Sequence, residues 1–431
     1  MPWKTGVIGT GGWFDRLKPA ATGLVGGPVE RLSPAGVIAL HDGDLARLRP
    51  VLAVAEGDRV RVGTRLLSDR RRPWVVLVSP VAGRVARLEP GPRRGVAALE
   101  ILPDPGEAGE AAEDGEVFDL SGAGTREGLV ALMIEAGLWP ALRTRPFGRV
   151  PRPEPSEAPE ALFVTAMESA PGAPEASGLI AAEGEAFARG LAALRLLTPG
   201  RVWLCHAPGL TMPEQPGVTP RAFAGGRGAG LPGRHIHALH PVARGGRVWQ
   251  IGWPEVIALG HLLGGGRISA RRVVALSGPG VARPGLVSVL PGMALSEIAA
   301  GRLKPGGHRL LAGPEAGGLA IPRLRPGIRQ ITAIGQVAPA GGALGRLARR
   351  LRKSVHGTGA LIPNAWDEHL APPGIPALPL LHALASGDAE GARRLGALGL
   401  VEEDLAALGH VMRADTATLL RQTLDELEAL A

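Results

Sequence analysis

The sequence predicts an α+β protein of several domains, and three observations predict it. The chain has 431 residues, too many for one ordinary core; at ~150 residues per domain it would hold about three. Its 64 glycines and 40 prolines predict many turns and short strands. Its patterning also changes along the chain. After an N-terminal lead-in (1–36), residues 37–103 read as all-β, 104–255 as α/β, 256–340 as a small β-rich module and 341–431 as a helical region.

Each element has a local reason. "VIALHDG", "RVRVGTRLL", "WVVLVSPVAGRVARL" and "GVAALEIL" are short β-branched runs separated by Gly, Pro and Asp. "VAEGDRVRVGTRLL" and "SPVAGRVARL" resemble the two halves of a barrel-sandwich hybrid, the fold of biotinyl and lipoyl carriers. A carrier needs an acceptor lysine at its hairpin tip, and 37–103 contains none, so carrier function is excluded. The stretch 104–123 is acidic and Gly-rich, a linker. In "TREGLVALMIEAGLW", Leu129, Leu132, Met133 and Ala136 fall at helical spacing and Gly137 is a natural stop. "ALFVTAM" and "RVWLCHA" are apolar runs suited to strands covered on both faces. Between them, "EAFARGLAALRLLTPG" is a helix with Phe187, Leu191, Leu194 and Leu197 along one side, closed by Gly200. Strand, helix, strand in that order predicts a parallel sheet. "PEVIALGHLL" is a helix with Pro254 in its first turn. "RRVVALSGPGV" starts the β-rich module, which suits a β-grasp. The last segments, such as "TATLLRQTLDELEAL", are amphipathic helices.

Composition narrows the function. The net charge is +8, and of the 48 basic residues only Lys4, Lys18, Lys304 and Lys353 are lysines. The arginines are scattered rather than striped and lack interleaved aromatics, so composition bias explains the charge better than nucleic acid. Cys205 is the only cysteine; no intrachain disulfide, iron–sulfur site or cysteine-based metal site can form. "GGRGAG" (225–230) lacks the spacing of a dinucleotide fingerprint, and no Walker A sequence occurs. His235 and His237 would share a face on a strand and could then hold a metal, although hydrogen-bonded turn histidines are commoner. No run of ~18 apolar residues predicts a membrane span, and the N-terminus has no secretory h-region. "LGRLARRLRKS" sets Leu344, Leu347 and Leu351 against Arg346, Arg349, Arg350, Arg352 and Lys353. That suits an anionic membrane surface, an acidic partner or a solvated loop.

The stretches "GLWPALRTRPFGRVP", "LPGRHIHALHPV", "RRVVALSGPGVARPGLV" and "IPNAWDEHLAPPGIPALPLLHALASGDAEGARRLGALGLVEEDLA" resemble, in order and spacing, the NqrA family, the NqrA subunit of the bacterial Na⁺-translocating NADH:quinone reductase. The resemblance implies a barrel-sandwich hybrid domain, a Rossmann-like domain without the glycine signature, a β-grasp (SLBB-like) module and a helical C-terminus. It implies a soluble, cytoplasm-facing protein, peripheral to the inner membrane, with five partner subunits (B to F). The complex reduces ubiquinone and exports Na⁺; NADH oxidation, flavins and iron–sulfur centres lie in the partners. No cofactor is expected to be covalently bound here, nor any metal or nucleic acid, and the isolated chain is expected not to be catalytic. Family members often carry cysteines near the C-terminus, where this chain has Leu408 and Met412.

A quinone site needs apolar or aromatic walls and donors for the carbonyl oxygens. On the family reading, Trp139, Leu142 and Phe147 offer walls and Arg143 and Arg145 donors; Leu40, His41 and Arg47 could add to them. The same arginines could instead pair with carboxylates of a neighbouring domain or of a partner protein, with Pro140 and Pro146 stiffening a joint. An Rnf-type electron-transfer subunit is the alternative family, and a basic interaction module without redox role the alternative class. The first would need iron–sulfur cysteine motifs that this sequence lacks.

Overall fold

The computed structural model describes residues 8–9, 23–41, 48–91, 95–105, 115–211, 214–226, 228–242, 246–335, 375–412 and 414–430. The basic segment 346–353 and Arg47 lie outside them.

The β-rich N-terminal part folds as two antiparallel sheets. One runs in the order Ile38–His41, Val96–Pro103, Gly83–Pro90, Arg59–Val60; the other in the order Pro50–Leu52, Arg65–Asp69, Arg72–Val78. Along Gly83–Pro90, Gly83 and Val85 are buried while Arg84 and Ala86 face solvent, the alternation of a half-buried strand. Val60, Leu66, Val85, Leu99 and Ile101 share one apolar core with Val274, Leu276, Val287 and Ile331 of the later β-rich module. These two parts therefore pack as neighbours although far apart in sequence.

The α/β part is a six-stranded sheet in the order Ile8–Gly9, Val218–Ala224, Arg201–His206, Ala161–Ala166, Val248–Gly252, Arg143–Arg145. All neighbours are parallel except the last pair. Every residue of Ala161–Ala166 is buried, as expected of a central strand covered on both faces. On one face Leu162, Val164, Leu204, Trp249 and Ile251 meet the helices Gly184–Leu194 and Trp253–Gly265. On the other, Phe163, Trp203, Cys205 and Phe223 meet Ile236 of the helix Pro232–Leu239. The helix Trp253–Gly265 straddles the boundary expected at 255/256 and belongs with the α/β core: Val256, Leu259 and Leu262 are all fully buried in it.

The third sheet runs in the order His308–Ala312, Gln330–Gly335, Arg272–Ser277, Gly285–Val289, Val29–Arg31. Its last strand comes from the stretch expected to be a mere lead-in. Val29, Glu30 and Arg31 pair in parallel with Leu286, Val287 and Ser288. The C-terminal part is helical: Ala377–Ser386, Ala389–Arg394, Ala406–Met412 and Thr416–Ala429. Asp388 and Asp415 cap two of these helices by accepting from Gly391 and Thr418 N–H at 2.8 and 3.1 Å. Leu380, Leu405, Leu408, Leu420 and Leu424 form a separate core. Among the described residues no helix is long and apolar enough to cross a membrane.

Candidate functional site at the edge of the α/β sheet

The stretch 136–151 begins at a helix stop. Thr125 Oγ1 caps the helix Arg126–Glu135 by accepting from Gly128 N–H at 3.1 Å. Gly137, at φ 69°, ends it, with Leu138 N–H bonded back to the Met133 carbonyl at 2.8 Å. A 3₁₀ turn over Trp139–Ala141 follows. It points Trp139 into the core, where the ring is fully buried. The indole Nε1–H donates to the Pro151 carbonyl at 2.9 Å, and the ring meets Trp249 edge-on at 5.5 Å. Leu142 is equally sealed. These two offer no surface to a ligand; they brace the sheet.

Arg143–Arg145 is the antiparallel edge strand, with Arg143 opposite Gln250 and Arg145 opposite Val248. Both arginines therefore point to one face. Arg143 Nη1 donates to the carbonyls of Pro140 and Leu142, the latter at 2.8 Å. Burial pulls its pKa below the ordinary arginine value, with Glu255 pulling the other way. Arg145 is 1% exposed. Its Nη2 lies 3.7 Å from Glu403, and its Nε and Nη2 have no hydrogen-bond acceptor. Phe147 takes φ 73°; its side chain packs on the C-terminal core and its carbonyl accepts from Arg421 at 2.7 Å. Arg149 pairs with Asp425 and Glu428 at 2.7 and 2.6 Å. Asp404 is buried beside Gly233, with Oδ2 accepting from Val401 N–H at 2.9 Å. Burial pushes its carboxyl up to about 7, with Arg145 opposing and Glu403 reinforcing.

The structure thus brings Trp139, Leu142, Arg143, Arg145 and Phe147 into one joint. His41 lies elsewhere, opposite Ala98 on the barrel-sandwich sheet, with Leu40 beside it. The carboxylates that meet the arginines were not singled out from sequence. The available signal was the "VEEDLAAL" block in a C-terminal segment richer in acids than in arginines.

A second polar cluster sits at the carboxyl end of the parallel strands. Among the four parallel strands between Ala161 and Gly252, the order in the sheet is third, second, first and fourth in chain order, so the direction of winding reverses between Ala161–Ala166 and Val248–Gly252. Ligands of open α/β sheets bind outside the strand ends at such a reversal. Here Glu168 follows the first of those strands, and its Oε1 accepts from Trp253 Nε1 at 3.2 Å and pairs with Arg329 at 2.5 Å. Burial raises the Glu168 pKa, against the pull of Arg329. A side chain at Gly252 would meet Glu255 and the Arg329 guanidinium. Arg329 comes from the third module, whose Gln330 also donates to the Pro171 carbonyl at 2.8 Å. The strand ends are thus filled by the protein's own groups.

The histidine expectation changes. Residues 232–239 form a helix, not a strand, so His235 and His237, two positions apart, point apart. His235 is buried against Phe223 and bonded to the Ala229 carbonyl at 2.7 Å; His237 is exposed. Among the described residues no group of three or more His, Cys, Asp or Glu is placed to hold a metal ion. Cys205 is buried in the sheet, and burial pushes its thiol pKa up; it is a small apolar core residue.

Comparison with known proteins accounts for nearly the whole chain. The family model for the NqrA N-terminal barrel-sandwich hybrid domain matches residues 22–104, and that for the NqrA second alpha/beta domain matches 124–268. The NqrA subunit of the Na(+)-translocating NADH-quinone reductase of Pseudomonas aeruginosa (strain UCBPP-PA14) is 36% identical, over 94% of this chain and 97% of its own. Its counterparts of the same name from Serratia proteamaculans (strain 568) and Klebsiella pneumoniae (strain 342) are each 34% identical at the same coverage. Among solved structures, a chain of an NAD+-reducing [NiFe]-hydrogenase in the air-oxidized state matches at 16% identity and TM-score 0.40, over 71% of this chain and 63% of that one, a likeness too distant to bear on function. With both domain models matched and full-length relatives above one third identity, the chain belongs to the NqrA family of the Na⁺-translocating NADH:quinone reductase.

Proposed function

We propose that this chain is the soluble, cytoplasm-facing NqrA subunit of an NADH:ubiquinone reductase complex that exports Na⁺, assembled with five partner subunits, B to F. The observation that carries this is the 36% identity across 94% of the chain to a full-length protein of that name. On this reading the six-stranded sheet is a Rossmann-like domain and the 272–335 sheet a β-grasp (SLBB-like) module. Neither handles NADH. Glu168 and Arg329 occupy the strand ends where a dinucleotide would lie, which supports leaving NADH to the partners; on the family reading the flavins and iron–sulfur centres lie there too, and this chain serves assembly. The test is to express the complex with and without it: Na⁺-stimulated ubiquinone reduction by NADH should vanish from membranes lacking this chain. Undiminished activity would refute the assignment.

Quinone contact is the narrower part of the reading. Of the residues at the joint, Arg143 and Phe147 retain surface. They are the ones to meet a quinone carbonyl and ring; Trp139, Leu142 and Arg145 support them from behind, and His41 would form a separate contact on the barrel-sandwich sheet. Replacing Arg143 with Gln in the assembled complex should raise the KM for ubiquinone. An unchanged KM would remove quinone contact while leaving the place of this chain in the complex intact.

A further inference from the structure

The helical unit 375–430 is attached to the rest of the chain differently from the other parts. Where the barrel-sandwich part and the 272–335 module share one apolar core, the helical unit keeps its own. Among the described residues, the one apolar side chain packed against that core from outside the unit is Phe147. The rest of the seam is mainly polar, apart from Val401 against Gly148 and Ala406 against Gly317. Arg149 pairs with Asp425 and Glu428, Arg145 faces Glu403, and Arg421 reaches back to the Phe147 carbonyl. The charges are complementary at larger scale too. Residues 375–431 carry nine Asp and Glu against four Arg, a net of −5 in a chain whose total is +8. The body is therefore more basic than the whole, and an acidic unit sits on it.

The seam is also imperfect. Arg145 Nε and Nη2 and Asp404 Oδ1 are buried there without hydrogen-bond partners, whereas in permanent packing nearly all such atoms are paired. Interfaces between domains that are small and polar permit relative motion by default. We propose that the strand and turn Arg143–Arg149 are a receptor for an acidic helical segment, occupied in this structure by the chain's own 375–430 unit, and that this unit undocks as a folded body when the ion pairs are screened or broken. Undocking uncovers Arg143, Arg145 and Gln250, which lie side by side on one face of the sheet edge. The proposal stands on the seam alone and does not depend on the quinone reading.

Energy transfer between two dyes on the full chain tests it. The dyes go on cysteines introduced at the exposed Glu185 and Gln422; the native Cys205 is buried and stays unlabelled. Raising NaCl from ~0.1 M to ~1 M shortens the screening length from about 10 Å to about 3 Å and should reduce transfer while the circular dichroism of the helices persists. Arg149→Glu should reduce transfer already at low salt. Adding Asp425→Arg and Glu428→Arg to it should restore transfer, which distinguishes a broken latch from a misfolded variant. Transfer unmoved by both salt and Arg149→Glu, or lost only together with the helical signal, would overturn the proposal.

Discussion

Replacing Trp139 with alanine separates a structural from a ligand-binding role for the stretch that most resembles the family. The ring is fully buried, is bonded to the Pro151 carbonyl and meets Trp249 edge-on. Truncating a buried Trp costs about 3–5 kcal/mol through lost burial and the cavity left behind. The Pro151 carbonyl, stranded in the core, adds about 1–3 kcal/mol. Trp139→Phe keeps most of the ring and loses the donor, so it should show mainly the second cost. Native domains are stable by only about 5–15 kcal/mol, so the alanine variant should unfold its α/β part at a markedly lower urea concentration, with the phenylalanine variant between. The measurement is urea unfolding followed by circular dichroism, because eight tryptophans make fluorescence ambiguous. If Trp139→Ala left the midpoint where it was, yet weakened ubiquinone binding by the assembled complex, the ring would be a wall of a site and its reading as a brace would be wrong.

Three further outcomes are expected. Arg329→Ala strands the Glu168 carboxylate and should cost about 3 kcal/mol, the low end for a buried pair because Arg329 keeps some solvent contact. Since burial already raises the Glu168 pKa, protonation relieves the variant, so its deficit in urea should be larger at pH 8 than at pH 5; a pH-independent deficit would contradict this. Burial lowers His235 from 6.5 to about 4; the unfolded chain then binds the proton first, and stability falls as pH drops through that window, by about 3 kcal/mol at its lower end. His235→Phe should flatten this part of the acid unfolding profile, and an unaltered profile would acquit His235. At the crossing of Gly184–Leu194 with Trp253–Gly265, a side chain on Gly260 would collide with the Ala186 carbonyl, and one on Gly190 with the Val256 carbonyl. Gly260→Ala should therefore cost about 3 kcal/mol; a melting temperature within a degree of the parent's would refute so close a crossing.

Local elements were legible where periodicity and punctuation agreed. The helix ended by Gly137, the buried strands Ala161–Ala166 and Arg201–His206 and the helix between them all stand where the pattern put them. Non-local pairing was not legible. Nothing in "VER" announces that Val29–Arg31 will join a strand more than 250 residues away, because an edge strand carries little pattern of its own. The helix Pro232–Leu239 was not legible, because its apolar residues are few; its histidines were weighed only on a strand or in a turn. At the joint, residue type was legible and burial was not. Trp139, Leu142 and Arg145 have the chemistry of a binding site, but only the tertiary fold shows that they face inward. The acidic partners of Arg145 and Arg149 lie more than 250 positions away, beyond the reach of any local pattern.

The Glu168–Arg329 pair has a consequence for how a new ligand could ever be accommodated at the strand ends. A free cation or donor seeking Glu168 would compete not with water but with a guanidinium tethered in the same chain. Held there by the packing of the third module, that group acts at an effective concentration of about millimolar or more, so a dilute competitor loses even when its intrinsic affinity is equal. Binding a ligand at this reversal point would first require removing Arg329, and with it one of the ties that hold the third module against the sheet.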